Sequence, residues 1–454
     1  MKNSFTIFLL IFLLPSFSFA QFEQYPRENR GQIAGGFGLT WIDDEPYYTL
    51  RFLPELSYAN FGVGMDLRLD IDKNGNLRNE NFNEFSDYLS LIRYVRYGVK
   101  NDPVFIKLGV LDYYTLGHGS IMYLYNNSPS FDTRKIGLVL DVDFGYFGFE
   151  SIYSWFAEAG VAGFRGYVRP LQFTDFGIIP IVGNLELGVT FASDFHKYAG
   201  VISALYDPAA KNIEVTDDKG AINIVGLDLG LPIISNSLLD LTLYIDYTKI
   251  LDFGNGAAAG IIADFGGLGI VTASAKLERR FNGKQYIPSY FNSLYEIERF
   301  MTDASSQSLT SPVTKAQKLA FMPAENGYYG ELLVNVLGTF NIFGSYQRLD
   351  KVSDSGILHL YGDIIPEELP FILRTGYDKL YIKDEKDLFT LDDRSYLFVE
   401  TGYKPYPFLV FAINYNWTYT PLRDADKNII DYEPQKRIEP RVYFMVPFNL
   451  AEEQ

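Results

Sequence analysis

Cysteine is absent from the chain. That excludes disulfides, zinc–thiolate sites, cysteine nucleophiles and a lipoprotein's lipid-bearing cysteine. Histidine occurs 3 times. His196 and His359 stand alone, without a second ligand at a usable spacing such as four residues on along a helix. No metal and no cofactor is therefore expected. Beyond residue 20 no apolar run reaches the ~18 residues of a membrane-spanning helix, which excludes crossing a bilayer by helices. Positive charge is in deficit: 39 Lys and Arg against 56 Asp and Glu give a formal net charge of -17. Such a balance argues against nucleic acid as a partner and against adhesion to an anionic membrane surface. Phosphate cradles are missing too. Gly254-Asn255-Gly256 reads as a strand connection, and no P-loop or dinucleotide fingerprint follows a strand and opens a helix.

What the chain has in quantity is aromatic residues and glycine, with 34 Tyr, 37 Phe and 39 Gly. Its first twenty residues read as a secretory signal peptide. Lys2 gives a positive start, 5–14 is apolar except for Thr6, and Ser18-Phe19-Ala20 offers small residues for cleavage after Ala20. The run is short for a membrane anchor, which needs about 20 apolar residues. The expected division is a signal peptide over 1–20 and one unit over 21–454.

In that unit the dominant pattern has period two. Phe61, Val63, Met65, Leu67, Leu69 and Ile71 alternate with Gly62, Gly64, Asp66, Arg68, Asp70 and Asp72. The run of about 11 residues matches a tilted membrane-spanning strand. The alternation recurs at 32–41, 135–144, 184–191, 239–247 and 409–419. A spanning structure without helices must be a closed barrel, since lipid offers no partner for backbone N–H and C=O groups. Short connections are expected at 59–60, 100–103, 145, 266–267, 339–341, 367–369 and 404–406. Longer polar ones are expected at 73–87, 114–133, 195–220, 282–326, 384–393 and 420–436. The fold expected is all-β: a single transmembrane antiparallel β-barrel of about 20 strands, with 16 to 22 admissible, short periplasmic turns and longer outer loops. The pattern is weakest at 88–99, where parity breaks around Ile92-Arg93 as at a bulge, and at 356–362. Within 286–321, Leu294, Ile297 and Phe300 have helical spacing, as in a loop with a short helix able to fold into the lumen.

About ten residues separate Gln21 from the first strand, which leaves no room for a plug domain. At the other end Ile438, Val442, Phe444, Val446 and Phe448 alternate with polar residues. In plan the mature chain resembles Gram-negative outer-membrane β-barrels and is similar to general porins. That class ends on an alternating strand whose last residue is aromatic, the place Phe448 would take. The sequence departs from the class by adding 449–454 beyond it. The resemblance implies export, an outer-membrane location, lipid and lipopolysaccharide as surroundings, and small hydrophilic solutes as cargo. A homo-oligomer stays open, since no strand set marks a flattened wall.

The inward parity carries Asp66, Arg68 and Asp70, then Arg374, Asp378 and Glu400, and on the last strand Arg437, Glu439 and Arg441. These are the candidate channel-lining residues, because charges of both signs facing a pore select by charge and size. The competing role is to pair along the wall and stabilise it. Leu116-Gly117-His118-Gly119-Ser120, followed by Tyr123, is the most distinctive loop, and its glycines permit tight turning. His118, Ser120 and Tyr123 are candidates for a constriction loop. Barrel phospholipases are similar only in using Ser, His and Asn, and place them on the lipid-facing wall. No enzyme and no catalytic residue is expected. The acidic groups Asp363, Glu367 and Glu368, and Asp384, Glu385 and Asp387, read as solvated charge. The leading function is a porin-like channel for passive or weakly selective diffusion of small hydrophilic solutes. A non-conducting surface barrel is the alternative, and an outer-membrane hydrolase is the third and weakest reading.

Overall fold

The alternation read along the chain is the alternation of strand faces. The computed structural model describes residues 29–78, 82, 88–89, 91–130, 134–179, 181–266, 270–302, 308–337, 339–364, 369–423 and 429–450. The expected signal peptide, Gly267, Glu367 and Glu368 lie outside them. Barrel strands follow in chain order: β1 (Arg30–Ile42), β2 (Glu45–Tyr58), β3 (Phe61–Met65 and Leu67–Ile71), β4 (Ile92–Tyr97), β5 (Val104–Gly109), β6 (Gly137–Asp143), β7 (Phe147–Tyr153), β8 (Val161–Val168), β9 (Glu186–Asp194) and β10 (Ile222–Ser235). They continue with β11 (Leu239–Ile250), β12 (Asn255–Phe265), β13 (Val271–Asn282), β14 (Gly327–Val336), β15 (Phe340–Leu349), β16 (Gly356–Ile364), β17 (Phe371–Ile382), β18 (Ser395–Tyr406), β19 (Leu409–Arg423) and β20 (Ile429–Asn449). Both pieces of β3 pair with β2, so they are one strand interrupted at Asp66. Each strand pairs antiparallel with the next, and β20 pairs with β1 from Ile42↔Arg437 to Gly31↔Phe448. The result is a closed barrel of 20 strands.

Closure satisfies the backbone of every strand within the wall, which is the condition for crossing lipid without helices. The outward parity is correspondingly apolar and bare. Phe37 is 66% exposed, Phe61 61%, Val189 61%, Ile245 59% and Ile413 57%, whereas Asp66, Asp70 and Asp246 are buried inside the wall. Exposed aromatics gather at strand ends as girdles. Tyr58 and Phe61 flank the 59–60 turn, Phe144, Tyr146 and Phe147 flank 145, and Tyr406 and Phe408 flank the turn before β19.

The long connections, 72–91, 110–136, 195–221, 283–326 and 383–394, all leave one end, and the start of β1 and the end of β20 lie at the other. Most connections at that second end are short. An exception is 169–185, which holds three 3-10 turns. One expected outer loop is corrected. Of 420–436, the described residues are strand, the far ends of β19 and β20, paired from Pro421↔Tyr432 to Trp417↔Lys436. Pro421 and Pro434 interrupt the pattern there, and a hairpin standing clear of lipid needs no apolar face. Tyr419 is buried there, packed with Leu294, Ile297 and Tyr432, with its hydroxyl donating to Ser395 O at 2.7 Å.

The parity break at Ile92-Arg93 is a bulge. Gly64 pairs with Tyr94 but Met65 pairs with Ile92, so Arg93 is the extra residue. The bulge turns Arg93 and Tyr94 to Glu55 in the lumen, with Tyr94 Oη donating at 2.5 Å. Phe448 pairs with Gly31 and is followed in the strand by Asn449, which pairs with Arg30. The Phe448 ring lies over Gly31, where an added Cβ would come within 2.3 Å of it.

Candidate solute pathway through the lumen

Two outer loops turn back into the barrel and fill one side of it. Their backbones are joined: Ser289 N donates to Ser120 O at 2.9 Å, Phe291 N to Ile121 O at 3.1 Å, and Tyr123 N to Phe291 O at 2.9 Å. Tyr114, Met122, Tyr125, Phe291 and Tyr295 share one buried apolar cluster with wall residues such as Phe105 and Ile224. Leu294, Ile297 and Phe300, the residues of helical spacing, are buried around the short helix Tyr295–Glu298. The loops are then clamped to inward-facing acids. His118 Nδ1 and Ser120 Oγ lie 2.8 Å and 2.5 Å from Asp246 on β11. Tyr123 donates to Glu331 on β14, and Gly117 N to Glu150 on β7 at 2.7 Å. Tyr295 Oη and Arg299 Nε reach Asp194 on β9 at 2.7 Å and 2.6 Å.

Within the plug, Arg299 and Lys135 both bind Glu296, and Lys315 binds Glu298 at 2.5 Å. Burial works to raise the Glu296 carboxyl, but Arg299 and Lys135 prevail and hold it below the ordinary carboxylate range. Glu298 is lowered in the same way, against its burial, by Lys315 and Lys318. Removing one member of such a buried pair strands the other, at a cost of about 3–5 kcal/mol.

The opposite side of the lumen holds a cavity of about 450 Å³ lined by inward residues of β1, β2 and β16–β20. A second cavity of about 290 Å³ extends from it along the first inward loop. The two share Arg51, Arg93, Asp112, Tyr361, Tyr396 and Phe398, so they adjoin along a wall of charged and aromatic side chains. Its charges are matched. Arg93 pairs with Glu55, Arg441 with Glu400 at 2.8 Å, and Arg374 with Asp363 at 3.9 Å. Arg51 binds Asp66 at 2.6 Å, and Arg134 of the loop binds the same carboxylate. On β19, the side-chain oxygens of Asn414 and Asn416 are buried and accept no hydrogen bond. An acceptor left so costs about 1–3 kcal/mol.

The nine charged candidates divide between these surroundings. Arg374, Glu400, Glu439 and Arg441 line the larger cavity and Asp66 the smaller. Arg68 lies behind them, bound to Asp70 at 2.9 Å and reaching Glu439 at 2.6 Å. Asp70 is fully buried and also accepts from Thr49. Arg437 is buried against Gln435. Asp378 takes His359 at 2.5 Å and Ser293 of the second loop at 2.7 Å. His118, Ser120 and Tyr123 all sit on the plug. In both clamps one carboxylate binds a histidine and a serine, Asp246 with His118 and Ser120, and Asp378 with His359 and Ser293.

Arg51, Glu55, Arg93, Asn414 and Asn416 line the space without having been singled out by sequence. The two asparagines lay on the inward parity of a clear alternation, and that parity was the available signal. Arg93 could be placed inside only once the bulge was located.

The sequence matches no known protein-family model and no curated protein. Among solved structures it is similar to OccK11 (OpdR) of Pseudomonas aeruginosa, at 10% identity and a TM-score of 0.29 over 92% of this chain and 96% of that one. OccK5 (OpdH) of the same organism gives 13% and 0.32, over 92% and 97%. The outer membrane protein OpdK, also from Pseudomonas aeruginosa, gives 9% and 0.32, over 92% and 98%. The functional reading rests on the lumen itself.

Proposed function

We propose that this protein is an outer-membrane channel through which small hydrophilic solutes diffuse passively or with weak selectivity. The observation that carries the reading is the pair of adjoining, charge-lined cavities beside the plug, enclosed by a wall whose outer face is apolar. A barrel of this size leaves an aqueous interior unless loops fill it, and here they fill one side. In this reading Asp66, Arg374, Glu400, Glu439 and Arg441 line the path, while His118, Ser120 and Tyr123 hold the constricting loop in place. Outer-membrane lipid surrounds the belt and lipopolysaccharide meets the outer loops. Reconstituted in planar bilayers, the folded protein is expected to give stepwise ion currents; folded protein without current would sink the reading.

The depth of the docked loops favours a second reading, a non-conducting barrel that presents a surface for binding. Replacing 283–326 by a short Gly-Ser linker separates the two. Current that appears only after the replacement supports the closed barrel, and current in the intact chain supports the channel.

A further inference from the structure

The charges of the luminal space balance and largely cancel. Six cations, Arg51, Arg93, Lys107, Arg134, Arg374 and Arg441, line the two cavities together with six carboxylates. Most of these groups are already tied to one another in the pairs described above, and Lys107 is within electrostatic reach of Asp112. A lumen of this kind offers a permeating ion no net attraction of either sign. An ion that binds at one of the closed pairs must first displace a guanidinium from a carboxylate or the reverse.

Two neutral side chains in this wall are left with open hydrogen-bonding capacity, beside the Nε atoms of Arg374 and Arg441. Asn414 and Asn416 are 7% and 1% exposed, sit two residues apart on β19, and both line the larger cavity. Neither side-chain oxygen has a hydrogen-bond partner. Asn414 lies in register between Glu400 on β18 and Glu439 on β20, and Asn416 lies beside Phe398. An amide carries both donors and an acceptor, and rotation about its last torsion presents either to the cavity. Its natural complement is a group that also donates and accepts, which is a hydroxyl. Paired carboxylates and guanidiniums accept from and donate to such a group without breaking apart. Tyr361, Tyr396, Phe398 and Tyr443 add aromatic surface to the same wall. Rings of this kind cover the C–H face of a flat polyol while a tyrosine hydroxyl bonds its rim.

We propose that the lumen selects neutral polyhydroxylated solutes, the saccharide class, over ions of the same size, with Asn414 and Asn416 as its specificity-determining side chains. This inference deepens the channel reading and rests on it.

The test is swelling of liposomes carrying the full-length protein, with ion current measured on the same preparation. Glucose is compared with gluconate and glucosamine, an anion and a cation of nearly its size. Glucose is expected to enter several-fold faster than either, and to lower single-channel current with saturation. Equal or faster entry of a charged solute, in a preparation that conducts, would overturn the saccharide inference and leave the channel standing. A preparation with neither current nor swelling would overturn both. The double variant Asn414→Asp with Asn416→Asp keeps shape and adds two negative charges. It is expected to slow glucose and favour glucosamine, and an unchanged ratio counts against the assignment. If that variant does not assemble, the saturating current block of the native protein by glucose decides, and its absence overturns the inference.

Discussion

Asp66 gathers two guanidiniums from different parts of the chain. Arg51 Nε and Nη2 approach its oxygens at 2.8 Å and 2.6 Å from the neighbouring strand, and Arg134 arrives from the end of the first inward loop. The carboxylate is 1% exposed and each guanidinium is mostly covered. Its removal leaves two cations facing one another across a partly dry gap. Asp66→Ala is therefore expected to lower barrel stability by about 3–5 kcal/mol, read as a lower urea midpoint in detergent. Asp66→Asn keeps the volume and part of the hydrogen bonding, so its loss should be smaller. Both changes add net positive charge to the path and should move the reversal potential towards anions in a salt gradient. An Asp66→Ala barrel with an unaltered midpoint would mean that solvent already screens this cluster.

At the scale of the strand, the two parities answer to different solvents. On β11, Ile245 is 59% exposed to what becomes lipid, while its neighbour Asp246 holds the plug from inside. Arginine on the lipid face costs about 2–4 kcal/mol at the midplane and about 0–1 kcal/mol near the interface. Ile245→Arg, at mid-strand, should then destabilise the barrel more than Leu239→Arg, which sits next to the turn before β11. Folding titrations into lipid vesicles measure both, and equal losses would argue that Ile245 does not face the bilayer core. This rule is also why the strands were legible. Lipid imposes an apolar residue at every second position, and Phe61 to Ile71 or Leu239 to Tyr247 obey it without tertiary information. Where the rule lapses, legibility lapses with it. The ends of β19 and β20 pair with each other above the belt, so Pro421, Pro434 and their charged neighbours resemble a loop. The inward turn of 110–136 and 283–326 left only a trace, the spacing of Leu294, Ile297 and Phe300. Its partners, Asp194, Asp246 and Glu331, come from three distant strands. Charge on the inward parity was readable too, but whether Arg68 faces solute or is paired behind Glu439 depends on what packs across it.

At the scale of the whole molecule, the plug is held largely by carboxylates, and that gives it a direction of response to pH. Glu296 and Glu298 are held below the ordinary carboxylate range by Arg299, Lys135 and Lys315 against the opposing effect of burial. In an unfolded loop such a group titrates near pH ~4.3. Stability contributed by a lowered carboxyl is fully present above that value and is lost as pH falls towards the folded one. The plug should accordingly keep its grip from neutral pH down to about 5 and loosen progressively below about 4. The wall is less exposed to this change, because its strands are held by backbone pairing that no proton removes. Limited proteolysis of the reconstituted protein should show 283–302 and 308–326 protected at pH 7 and cut at pH 3 by an acid-active protease, with the barrel strands uncut in both. Current noise should rise over the same interval as the loop begins to leave the lumen. Glu296→Gln, which cannot bind its two cations as a carboxylate does, should raise cutting already at pH 7 and flatten the dependence on acid. A loop equally protected at pH 7 and pH 3 would show that its apolar contacts, Phe291 and Tyr295 foremost, hold it without help from these pairs.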